Sequence, residues 1–129
     1  MGILDHIGFA VSDLAASKAF YEKALAPLGI APLLEVTAEQ TGSGAACGFG
    51  RERPQFWIGT GAGPKGEVHV AFTAPDRNTV DAFYKAALAA GGRDNGAPGL
   101  RPHYHEHYYG AFVLDPDGYN VEAVCHEPA

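Results

Sequence analysis

Positive charge is scarce in this chain. Its 129 residues hold nine Lys and Arg against fifteen Asp and Glu, a formal charge of −6. No basic cluster could follow a phosphate backbone, so nucleic acid is excluded as a partner. Long apolar runs are missing too. None approaches the roughly 20 residues needed to cross a bilayer, and residues 1–15 lack the basic start and apolar stretch of a secretory leader, so no membrane role is expected. Cysteine is limited to Cys47 and Cys125, far apart and with no CxxC spacing. Two small buried side chains with reduced thiols, in a cytoplasmic protein, are the expectation.

Glycine and proline are plentiful, at seventeen and nine residues, which implies many turns and short elements. The 47% hydrophobic and 19% charged content is that of an ordinary soluble domain. A chain of this size buries roughly two-thirds of its unfolded surface and does not need disulfides.

Shifting the chain by 63 positions lays residues 6–29 on residues 69–92 with ten identities in 24 positions and no gaps. The identities include His6/His69, Asp13/Asp76, Phe20/Phe83, Tyr21/Tyr84 and Gly29/Gly92. Each copy opens on a strand. Ile7, Phe9 and Val11 alternate with His6, Gly8 and Ala10, and Val70, Phe72 and Ala74 alternate with His69, Ala71 and Thr73. A helix follows, capped by Asp13 or Asp76. In the second copy its Val80, Phe83, Tyr84, Ala87 and Leu88 form one apolar stripe. Gly29 and Gly91-Gly92 end the helices.

Extended pieces are expected at 32–37, 45–50 and 55–59 in the first copy. In the second they are expected around 95–99, at 109–114 and at 119–125, the last two joined by the turn Asp115-Pro116-Asp117-Gly118. The register is expected to hold at Phe49/Phe112, and Gly61–Gly66 to be a flexible connector. The class is α+β: one domain over 1–129, built of two tandem βαβββ modules (about 1–60 and 67–126) that form a cupped mixed sheet around a central cavity.

The alternation gives the histidines their meaning. His6 and His69 share their faces with Gly, Ala and Thr, which leaves open space beside each imidazole, whereas a core histidine is surrounded by large side chains. Glu122 sits within the β run Tyr119–Cys125, and a carboxylate there calls for a partner or a cation. Two His and one carboxylate suit Zn²⁺, Ni²⁺, Mn²⁺ or Fe²⁺. Stepping back 63 positions from Glu122 gives Gly59, so the repeat offers four slots of which three are filled. An open position of that kind is the mark of a catalytic centre.

These residues resemble the vicinal oxygen chelate superfamily, which includes glyoxalase I, extradiol dioxygenases, fosfomycin-resistance transferases and bleomycin-resistance proteins. The likeness runs through Asp5-His6-Ile7 to Asp13-Leu14, Phe20-Tyr21, the stretch Gly66–Phe72, and AFVLDPDGYNVE at 111–122. It implies a divalent metal held by His6, His69 and Glu122, a homodimer with exchanged modules, and a small oxygen-rich substrate chelated by a metal acting as Lewis acid. Gly59 stands where glyoxalase I proteins carry Glu or Gln, which weighs against that isomerase.

The segment 101–109 holds three of the six His and three of the six Tyr. Its Arg101, Tyr104, His105, His107 and Tyr109 are candidates for acid–base or ligand contacts, or for dimer packing. Trp57 is a candidate pocket wall or a core residue. The leading expectation is a metal-dependent lyase/isomerase or dioxygenase. The alternative is a bleomycin-resistance-like binding protein without catalysis.

Overall fold

The computed structural model describes residues 3–42, 44–63 and 67–129. Residues 64–66 of the expected connector lie outside them. The elements are β1 (Ile7–Ala10), α1 (Leu14–Leu25), β2 (Ala31–Val36), α2 (Ala38–Thr41), β3 (Ala46–Gly50), β4 (Phe56–Gly59), β5 (His69–Thr73), α3 (Arg77–Ala89), β6 (Arg93–Leu100), β7 (Tyr109–Leu114) and β8 (Asn120–Cys125). They build two four-stranded mixed sheets, ordered β1-β4-β3-β2 and β5-β8-β7-β6. In each, the first strand runs parallel to the fourth and the other pairings are antiparallel. The short α2, opened by a Thr37/Gln40 capping box, is an addition to the expected set.

The two long helices start where the aspartates stand. Asp13 accepts from Ala16 N at 3.0 Å, and Asp76 accepts from Thr79 N at 2.7 Å. Pro27 turns the end of α1 into a single 3-10 turn, Ala26–Leu28. Gly29 closes it at φ 74°, a backbone angle that favours glycine.

Each helix covers the apolar face of its sheet. Under α1, Tyr21 stands edge-on to Phe49 and Phe56. Under α3, Val80, Phe83 and Ala87 are wholly buried. Cys47 and Cys125 are buried and unpaired with each other.

The modules are clasped together. Ser12 N donates to Asp117 at 3.1 Å, Tyr119 Oη to Ala10 O at 2.9 Å, and the buried Tyr21 hydroxyl to Asp115 Oδ2. Arg51 bridges Leu28 O and Thr73 O, each at 3.0 Å, and Phe56 meets Phe72 edge-on.

Strand pairing corrects the repeat beyond the helices. Ala71 faces Glu122, but its counterpart Gly8 faces Trp57, so the slot equivalent to Glu122 is held by Trp57 and not by Gly59. Likewise Phe49 lies under α1, whereas Phe112 faces Glu122 on the opposite side of its sheet. The 63-residue period holds from strand to helix, and loops of different length then shift it.

Candidate functional site

Alternation along β5 and β8 sets His69 and Glu122 on the face turned away from α3, with Ala71 and Thr73 as small neighbours. Glu122 is wholly buried, yet its Oε1 lies 2.8 Å from Nε2 of the half-exposed His69. The Tyr108 hydroxyl donates to the other oxygen, Oε2. Burial and this bond push the Tyr108 phenol well above its ordinary range. No Lys or Arg pairs with Glu122 among the described residues. A buried carboxylate without a cationic side chain beside it is costly. The donor set of one imidazole nitrogen and one carboxylate oxygen therefore fits a divalent transition metal.

His6 precedes β1 and is 60% exposed. Its Nδ1 donates to Asp5 Oδ1 at 2.7 Å, so Nε2 is the ring nitrogen left for another partner. That bond, with Arg53 beside it, holds the Asp5 carboxyl below its usual range. His6 and His69 open on one cavity of about 530 Å³ in the groove between the modules, walled by Ile7, Phe56, Val70 and Phe72. Among the described residues of one chain, no three His, Cys, Asp or Glu converge to hold a metal ion, so His6 stands apart from the His69–Glu122 pair.

The face around His6 is open. Trp57 lies across Gly48, where a Cβ would come within 2.8 Å of the indole ring. At Gly59 a Cβ would stand 3.0 Å from Ala45 O, so the backbone of the neighbouring strand crowds any side chain there.

The profile of the Glyoxalase/Bleomycin resistance protein/Dioxygenase superfamily matches residues 3–123. The chain belongs to this superfamily. Solved structures agree. A glyoxalase/bleomycin resistance protein from Albidiferax ferrireducens T118 has a TM-score of 0.79 at 27% identity, covering 98% of this chain and 100% of that one. A glyoxalase I mutant from Zea mays has a TM-score of 0.72 at 25% identity, over 94% of this chain and 46% of that one. A family enzyme from Burkholderia phytofirmans PsJN, 18% identical with a TM-score of 0.71, shows the shared fold over 98% of this chain and 100% of that one. No curated protein sequence matches the chain.

Within this glyoxalase-superfamily chain the segment before β7 divides. Tyr109 points to the helix side, donates to Asp81 Oδ1 at 2.7 Å and lies under Arg77, so it is removed from the face of Glu122. Arg101 lies over Phe112, and its Nη1 and Nη2 donate to Gly99 O and Ala97 O, at 2.8 and 2.9 Å. Tyr104 is exposed and packs on His103 and Tyr108. His105 stacks edge-on to His126, and His107 lies 3.9 Å from Glu106. Tyr108, absent from the sequence-derived candidates, is the residue of this segment that reaches Glu122. Parity on β7 carries the signal, because Tyr108, Gly110 and Phe112 share the face that Glu122 occupies.

Proposed function

We propose that this chain is a metal-dependent enzyme of the vicinal oxygen chelate type, a lyase/isomerase or dioxygenase acting on a small oxygen-rich substrate. The observation that carries this reading is the buried Glu122 carboxylate set 2.8 Å from His69 Nε2. His69 and Glu122 would hold a divalent ion (Zn²⁺, Ni²⁺, Mn²⁺ or Fe²⁺) with His6 as third ligand. When bound, that ion supplies Lewis-acid stabilisation to negative charge developing on substrate oxygens.

The chain's own residues do the rest. Asp5 fixes the His6 tautomer so that Nε2 is presented. Ala71 and Thr73, which line the cavity beside His69, leave room for a ligand.

The third ligand is assigned to a second copy. His6 of one chain joins the His69–Glu122 pair of the other, and two equivalent sites result. Two features support this: His6 does not converge with the pair inside one chain, and β1 and β5 are sheet edges next to exposed Ile3, Leu4 and Ile7.

Metal analysis of protein purified without chelator tests the reading. About one equivalent per chain is expected, falling sharply in His69→Ala. Less than about a tenth of an equivalent, unchanged in His69→Ala, contradicts it and leaves a metal-free binding protein.

A further inference from the structure

We infer that Tyr108 is a positioning residue of the metal site. Its phenol fixes one oxygen of Glu122 so that the carboxylate meets the ion through the other, the one beside His69. This role rests on the metal-binding reading above.

The Glu122 carboxylate is divided between two partners. Oε2 accepts from the Tyr108 hydroxyl, and Oε1 lies 2.8 Å from His69 Nε2. With no Lys or Arg paired to Glu122 among the described residues, the phenol orients the group. Tyr108 is itself held from several sides. Its ring meets Tyr104 edge-on at 5.1 Å and His126 edge-on at 5.2 Å. The loop that carries it is closed by Arg101 N donating to Tyr108 O at 2.7 Å and Tyr108 N donating to His105 O at 3.3 Å.

Gly110 provides the space for this crossing. A Cβ there would stand 3.1 Å from Tyr108 Cε1 and 3.3 Å from Glu122 Oε2. With only hydrogen at that position, the ring can lie over β7 and reach the carboxylate. The aromatic packing, the loop bonds and the missing side chain all converge on one contact.

The chemical consequence concerns which ions are accepted. A carboxylate with one oxygen engaged by a phenol offers the other for binding. Transition ions with imidazole and single-oxygen ligation accept that arrangement, whereas large hard ions such as Ca²⁺ draw on bidentate carboxylates and many oxygens. Partners that orient a metal ligand contribute about 10–100-fold to affinity.

Titration with Co²⁺, followed by its visible absorption, tests this on the full chain. The wild-type protein is expected to bind with defined bands. Tyr108→Phe, which removes one oxygen and keeps the ring packing, should bind about 10–100-fold more weakly with a changed band pattern. Gly110→Ala keeps the phenol but pushes the ring from Glu122, and it should move affinity and bands in the same direction. Co²⁺ binding by Tyr108→Phe that matches wild type in affinity and band shape overturns this role alone. A wild-type protein that takes up no Co²⁺ overturns the metal reading and this role with it.

Discussion

Tyr21→Phe separates a buried hydrogen bond from the packing around it. Tyr21 is wholly buried and stands edge-on to Phe20, Phe49 and Phe56, contacts that phenylalanine keeps. Its hydroxyl donates to Oδ2 of Asp115, which is 2% exposed. Oδ1 already accepts from Asp117 N and Tyr119 N, both at 2.9 Å. The substitution opens a gap of one oxygen and leaves a buried carboxylate oxygen without its donor, at a cost of about 1.5–3 kcal/mol. In a domain of 129 residues that lowers Tm by roughly 5–15 °C.

The pH dependence has a definite sign. Burial is the main influence on Asp115 and raises its carboxyl above the ordinary range, against the Tyr21 bond, which lowers it. A carboxyl raised on folding costs stability as pH climbs from the unfolded value, about 3.9, through the folded one, and costs nothing below both. Loss of the hydroxyl lifts the folded value further. The Tyr21→Phe deficit is therefore largest near neutrality and shrinks as pH falls toward 4. Urea unfolding of both proteins across this range measures it. A deficit under about 0.5 kcal/mol at pH 7, or one that widens in acid, refutes the reasoning.

Three further outcomes are expected. Gly48→Ala drives a methyl to within 2.8 Å of the Trp57 ring; because Trp57 is the single tryptophan, its emission should shift as the ring is displaced into solvent. Asp76→Ala removes the cap of α3. Hydrogen bonds from Thr79 hold the Asp76 carboxyl below its usual range, so the stability it adds is present above the ordinary Asp value and lost as pH falls through the folded one. The variant should melt a few degrees lower at pH 7 and converge with wild type in acid. Tyr109→Phe breaks only the bond to Asp81, so Co²⁺ affinity should stay at the wild-type value, with a stability loss of about 1 kcal/mol.

The parts of the fold most legible in the sequence are those set by local chemistry. Asp13 and Asp76 mark the helix starts because their carboxylates can cap free N–H groups, and alternation around His6 and His69 separates the helix-facing side from the open one. Glu122 stands out as a charge inside an apolar strand, and it does meet His69. Register is less legible because it accumulates over loops. Trp57 takes the slot assigned to Gly59 once the pieces after the helices differ in length between modules. Tyr109 and Tyr108 are adjacent tyrosines with opposite fates, and only the strand's parity tells them apart. The pairing of Arg101 with Gly99 O and Ala97 O depends on the irregular register of β6 against β7, which composition does not encode.

The proposed function stands on a metal centre made of His6, His69 and Glu122. X-ray absorption spectroscopy of the Zn²⁺-loaded protein tests it most directly. A shell of nitrogen and oxygen ligands at about 2.0–2.1 Å is expected, with scattering from two imidazoles, reduced to one in His6→Ala. A wild-type spectrum without imidazole scattering, or an imidazole count untouched in His6→Ala, contradicts it.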